Sequence, residues 1–301
     1  MIAESECVMS AMMPVAVREK MGMFSATRGC METDVANMLE SGYVFGANGS
    51  CTIRVASSIE DRLKAWGLVY RMYAERGYAE PREDGLWYGP HDTLPEACTL
   101  LVERDGEPLA TLTVTPDSPL GLAADQLYRE EIDELRSRGR RPCEIISLAS
   151  QEKNLRHGAE IVKHLFKLAY LAATRLMGAT DFLITVNPRH VRFYERTLLL
   201  KRMGVEKEFT KVGGAPAVLL ALDLTTAEQQ YLEHYGDEEG SFYRFFVNQE
   251  TEADLLEMMV RQHRILDADS LRRYFVERKP LLRALPSAYR QHLRAYYPNL
   301  V

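Results

Sequence analysis

The sequence predicts an α/β (α+β) protein in which a mixed sheet is flanked by helices and followed by a helical C-terminal extension. Three patterns predict it. Between residues 51 and 224, short segments of strand-like alternation are interleaved with stretches whose apolar residues recur at helical spacing. The segment 182–186 is almost wholly apolar, as a strand buried on both faces would be. After residue 225 no strand pattern remains, and Pro280, Pro286 and Pro298 break the chain into short helical pieces.

Composition bounds the rest. The chain has 301 residues, 46% hydrophobic and 27% charged, which suits an ordinary globular protein. No apolar run approaches the roughly 18 residues a membrane-spanning helix needs, so no integral membrane insertion is expected. A net charge of −6 disfavours nucleic acid as a partner. Five cysteines without a C-x-x-C pair argue against a disulfide framework and a structural zinc site. Together with Glu4 and Glu6, where a signal peptide would be basic, they point to a cytoplasmic protein.

The punctuation divides the chain into an N-terminal extension (1–50, partly flexible, with one short helix near Asp34 to Leu39), a central domain (51–224) and the helical extension (225–301). The central domain opens with a strand from Cys51 to Ala56. Ser58 then caps a helix whose third residue, Asp61, can reach back to the free amides. That helix carries Leu63, Trp66, Val69, Tyr70 and Tyr73 on one side and stops at Gly77. The strands Cys98 to Glu103 and Leu109 to Thr115, joined by Asp105-Gly106, read as a hairpin. A helix from Leu122 to Arg138, a strand from Cys143 to Ala149, a long helix from Ala159 to Met177, the buried strand, a short helix after Pro188 and a strand from Ala215 to Leu224 complete the series. The aromatic residues of the extension, Phe242, Tyr243, Phe245, Phe246, Tyr274 and Phe275, need apolar surface to cover, either on the central domain or on a second copy in a homodimer. A separate binding function for the extension is the alternative.

Several residues could carry chemistry. Lys153 to Ala159 precedes the long helix, and a helix start offers unpaired amides and positive dipole, so Arg156, His157, Gly158 and Ala159 suit an anion; a plain solvated helix start reads the same way. Asn187-Pro188-Arg189-His190 opens the next helix, which carries Tyr194. If the strands 143–149 and 182–186 lie side by side in parallel, both helix starts open at one sheet edge, where a phosphate-bearing arm can lie. Tyr194 is then placed to protonate a leaving thiolate, or it is simply a packed aromatic. Glu144, near the start of its strand, is either a desolvated base or a salt-bridged strand-end carboxylate. Arg136, Arg138, Arg140 and Arg141 complement a helix C-terminus, or dock an acidic carrier protein. No His and carboxylate spacing suggests a metal, and no G-x-S-x-G suggests a serine nucleophile.

The order of elements, with Arg156-His157-Gly158-Ala159 opening one helix and Phe193-Tyr194 in the next, resembles the Gcn5-related N-acetyltransferase superfamily. Three segments, Val69 to Tyr78, Asp117 to Leu122 with Leu127 to Ile132, and Glu144 to Ala149, resemble more narrowly the FeeM-type N-acyl amino acid synthases, relatives of the acyl-homoserine-lactone synthases. The likeness covers about 55–224.

The resemblance implies the Gcn5-related N-acetyltransferase fold. It also implies an acyltransferase that joins a long-chain acyl group, carried as a thioester on the phosphopantetheine of an acyl carrier protein or on acyl-CoA, to the amine of an amino acid or similar small amine, with no permanently bound cofactor. Glu144 would be the base and Tyr194 the acid. Leu148, Ala149, Arg156, His157, Gly158, Ala159 and Asn187 would hold the donor; Arg71, Tyr73, Asp92 and Ser147 would hold the acceptor. Two departures are visible: Ser147 stands where a Glu-x-x-Arg pattern would have arginine, and only Gly158 remains of the Arg-x-x-Gly-x-Gly loop typical of coenzyme A users. A short-chain acetyl-CoA-dependent acetyltransferase and a non-catalytic acyl-binding module remain as alternatives.

Overall fold

The computed structural model describes residues 32–46, 49–247 and 249–299. Its centre is a nine-stranded sheet in the order β1-β2-β3-β4-β5-β6-β9-β7, with β8 paired to β9. The strands are β1 (Tyr43–Phe45), β2 (Cys51–Val55), β3 (Cys98–Arg104), β4 (Glu107–Pro116), β5 (Pro142–Ser150), β6 (Asp181–Val186), β7 (Lys201–Arg202), β8 (Lys207–Phe209) and β9 (Ala215–Asp223). Every pairing is antiparallel except β5 with β6.

That parallel pair is where the sheet opens. Its ladder runs from Pro142 opposite Asp181 to Ile145 opposite Ile184, while β5 continues to Ser150 and β6 to Val186 without further pairing to each other. On its other edge β5 pairs with β4, where the register shifts: Ala149 faces Thr111 and Ile146 faces Thr113, leaving Ser147 and Leu148 opposite Leu112 alone. Ser147 takes a left-handed φ of 56°. Such a bulge bends its strand and sharpens the local twist, which turns the end of β5 away from β6.

The helices α1 (Glu32–Ser41), α2 (Ile59–Ala74), α3 (Asp125–Ser137), α4 (Leu155–Leu171) and α5 (Val191–Thr197) surround the sheet. Ser58 and Asp61 cap α2 reciprocally, as the sequence predicts. The third helix starts at Asp125 rather than Leu122, because the Asp125 carboxylate accepts from the Leu122 amide and holds Leu122–Ala124 as a turn. The long helix starts at Leu155 rather than Ala159, because Asn154 caps it. The strands β1, β7 and β8, of two or three residues each, are too short to show alternation and were not expected.

The C-terminal helices α6 (Ala227–Tyr235), α7 (Phe242–Phe246), α8 (Gln249–Gln262), α9 (Ala268–Arg272) and α10 (Ser287–Arg294) pack on the sheet domain of the same chain. Phe246, Leu255, Leu256, Met258 and Met259 join the main core. A second core brings Leu271, Tyr274, Phe275, Leu282, Leu285, Tyr289 and Leu293 against Trp66, Tyr88 and Leu94. In the arginine run that ends α3, Arg136 pairs with Asp117, Asp125 and Asp133 and Arg140 with Asp181 and Asp223, while Arg138 pairs with Glu134 at the exposed surface.

Candidate active site

Where β5 and β6 part, the structure holds a cavity of about 590 Å³. Most of the residues singled out from sequence meet there: Tyr73 from α2, Asp92 from the 3-10 turn Pro90–Thr93, Glu144, Ser147, Leu148 and Ala149 from β5, Gly158 and Ala159 from α4, Asn187 after β6, and Tyr194 from α5. Arg71, Arg156 and His157 are exposed and are not part of the lining. Helical geometry explains Arg71: each residue turns about 100°, so with Met72 and Tyr73 facing the cavity Arg71 is carried outward.

Glu144 is only 3% exposed. It sits within the last paired stretch of β5, opposite Thr115 of β4 and Leu183 of β6. Burial pushes its carboxyl up to about 7, against the opposing pull of the Ala124 and Ala123 amides and the Lys211 charge, while Asp125 adds a small push upward. The Ala124 amide donates to Oε2 at 3.0 Å. Between the two sequence readings of Glu144, the salt-bridged strand end does not occur: among the described residues no cation lies within ion-pair distance of it.

Asp92 is also buried, and burial raises its pKa. Its oxygens are occupied, one by the Trp66 indole N–H at 2.9 Å and the other by the Gly89 amide at 2.8 Å. Tyr194 is 7% exposed and packs near Phe166 and Phe193. Burial, with a smaller push from Tyr73, drives its hydroxyl well above the ordinary tyrosine value, so it stays a neutral donor. Burial likewise pushes Tyr73 up to about 12. Asn187 caps its own turn through Arg189 and donates to the Tyr78 hydroxyl at 3.3 Å.

The expected phosphate seat differs from the sequence expectation. Because α4 begins at Leu155, Gly158 lies inside its first turn and its amide donates to the Asn154 carbonyl at 2.8 Å. The Arg156 and His157 amides donate to the Asn154 side chain at 3.0 and 3.2 Å. The sequence counted these donors as unpaired; a phosphate reaches them only by replacing the Asn154 carboxamide.

Among the lining residues that sequence reasoning missed are Arg82, Trp87, His91 and Lys211. His91 Nε2 donates to the Gly121 carbonyl at 3.1 Å; burial, then Lys211, lowers its pKa to about 4, so the ring is neutral. Lys211 lies in the short 3-10 turn Thr210–Val212. Its side chain is open by surface area, yet protein encloses it on most sides and burial lowers its pKa. The open space beside it is the cavity itself. The signal for this residue was the Gly213-Gly214 pair that follows it. Gly213 has φ 66°, and a Cβ there would meet the Gly77 carbonyl at 2.8 Å, so the turn carrying Lys211 is pressed against the end of α2.

The sequence profile of the N-acyl amino acid synthase FeeM family matches residues 64–223, more than half of the chain. The chain belongs to that family. It is thus an acyltransferase, and among the described strands its mixed sheet holds a single parallel pair, β5–β6. Among solved structures it is similar to FeeM, an N-acyl amino acid synthase from uncultured soil microbes, with 23% identity, 61% of this chain and 96% of that chain covered and a TM-score of 0.53. Looser likenesses, which bear on nothing beyond this, are the AHL synthase LasI (15% identity, 59% and 92% covered, TM-score 0.41) and an N-acetyltransferase from Staphylococcus aureus Mu50 (12%, 58% and 98%, 0.38). No curated protein matches the sequence. The matched segment begins within α2 and ends at the last residue of β9, so it contains the cavity's sheet wall but not the C-terminal helices.

Proposed function

We propose that the chain, through residues 51–224, transfers a long-chain acyl group from a phosphopantetheine thioester to the amine of an amino acid. The observation that carries this reading is Glu144, a buried carboxyl raised to about 7, lining the cavity where β5 and β6 separate. A group titrating near the operating pH is suited to exchange protons with an amine. The acceptor arrives as an ammonium and Glu144 takes one proton. The free amine then attacks the thioester carbonyl. A C–N bond forms and the C–S bond breaks as the tetrahedral intermediate collapses; the Tyr194 hydroxyl donates its proton to the departing thiolate and takes up the second amine proton, and Glu144 later releases the first to solvent.

Amides at the Ser147–Ala149 bulge, turned away from regular pairing, suit the developing oxyanion, and Asn187 suits the polar part of the pantetheine arm. Val162, Phe193, Phe209 and Val212 give the cavity an apolar lining for an acyl chain, and its volume exceeds what an acetyl group fills. Holding amine and thioester in register supplies much of the acceleration.

The test is product analysis by mass spectrometry with thioesters from acetyl to palmitoyl, each presented on coenzyme A and on an acyl carrier protein, against the common amino acids and simple amines. An N-acyl amino acid with the longer donors is expected, together with a preferred carrier. Acetylation alone replaces this reading with a short-chain acetyltransferase. Absence of any product with every pair replaces it with an acyl-binding module.

A further inference from the structure

The geometry points to Lys211 as the anchor for the acceptor's carboxylate, which makes this cavity selective for amino acids with a free acid over the corresponding amides and simple amines. The inference deepens the acyltransfer reading and rests on it for the location of the amine. Arg76, Arg82, Arg189 and Lys211 are the guanidinium and ammonium groups lining the cavity among the described residues. Three of them are engaged: Arg76 donates to the Met72 carbonyl, Arg82 lies 4.9 Å over the Trp87 ring, and Arg189 donates to His190 and towards the Tyr78 hydroxyl. Lys211 forms no hydrogen bond or ion pair among the described residues, although its charge is felt by both Glu144 and Asp92.

Lys211 and Glu144 therefore face one cavity with opposite charges that interact but do not touch. A zwitterion fits between two such groups in one orientation, its ammonium towards Glu144 and its carboxylate towards Lys211. Asp92 cannot compete for the ammonium on equal terms, because the Trp66 and Gly89 donors already occupy its oxygens. The turn holding Lys211 is fixed at Gly213 against Gly77, so the ammonium arises from a braced position and not from a free loop. A lysine enclosed by protein, with no hydrogen bond or ion pair among the described residues, is costly unless a ligand supplies its partner.

The experiment compares the parent, Lys211→Met and Lys211→Arg in two assays. The first is binding without donor: thermal shift with the common amino acids and with their C-terminal amides. Acids but not amides are expected to raise the melting temperature of the parent, Lys211→Met is expected to lose that difference, and Lys211→Arg to keep part of it. The second is turnover with the preferred thioester. Lys211→Met is expected to raise KM for the acid roughly 10- to 100-fold, the range of a hydrogen bond to a charged group, with kcat within a few-fold and the amide unaffected. Equal loss for acid and amide, or a parent indifferent to the carboxylate, overturns the inference. Acid-selective binding in a parent that transfers no acyl group overturns the acyltransfer reading and leaves Lys211 standing.

Discussion

One wall of the cavity is regular structure, β5, β6 and the start of α4; the other is the irregular segment 78–97, and only the second depends on partners nearly two hundred residues away. In the regular wall, the positions of Glu144 and Ala149 follow from strand register, and one bulge opens the sheet. In the irregular wall, the Tyr88 hydroxyl donates to the Tyr274 carbonyl at 3.1 Å, Thr93 meets the Tyr289 hydroxyl at 3.0 Å, and Tyr296 donates to Glu96 at 2.9 Å. Trp66 stacks on Tyr88 at 4.7 Å and meets Tyr274 and Phe275 at their edges. The family match stops at Asp223, so the helices that brace this wall lie outside it. The difference teaches that one cavity can join a wall built from regular strands to a wall braced by helices outside the family match.

Breaking the brace should have the largest effect. Trp66→Ala removes a side chain that is 2% exposed, the aromatic contacts and the donor to Asp92, and should cost about 3–5 kcal/mol in denaturant unfolding. Tyr194→Phe acts on the donor side alone: it should lower kcat roughly ten- to a hundredfold, at the low end of general-acid contributions, and leave the melting temperature nearly unchanged. Gly213→Ala forces a Cβ to 2.8 Å from the Gly77 carbonyl in a left-handed conformation; a loss of about 1–2 kcal/mol should come with a raised KM for the acceptor and an unaltered KM for the donor. The smallest effect is at the bulge. Ser147→Gly relieves a left-handed φ of 56° and should change stability by less than about 1 kcal/mol, whereas Ser147→Val should destabilise and slow turnover.

Much of the regular wall was legible in sequence. The capping pair Ser58 and Asp61 and the buried strand at 182–186 follow from local patterns, whereas the parallel adjacency of β5 and β6 was a condition that the structure meets. The start of α4 was not, because Asn154 caps a helix whose first exposed residues, Leu155 to His157, carry no amphipathic signal. That displacement is why the amides at Gly158 were counted as unpaired when the helix already uses them. The irregular wall was least legible. Asp92 has a place in sequence but its partner Trp66 is set by folding; outside both walls, Lys211 reaches the cavity from the turn that follows β8, a strand of three residues. In the Arg136–Arg141 run, Arg136 and Arg140 meet carboxylates distant in sequence, which no local pattern shows.

The raised Glu144 pKa links activity and stability in opposite directions. Its folded value, about 7, lies above the ordinary 4.5, so between these two values the folded state holds more protons and gains stability as pH falls. With Glu144 as the proposed base, activity requires the ionised form and should fall over the same range. The measurement that tests the account most directly is the pH dependence of kcat/KM for acyl transfer by the parent and by Glu144→Gln. The parent should lose activity below an acid limb near pH 7, and Glu144→Gln should be slower by about 100-fold or more with that limb gone. An unchanged limb and rate in Glu144→Gln would contradict the assignment of this carboxyl as the base.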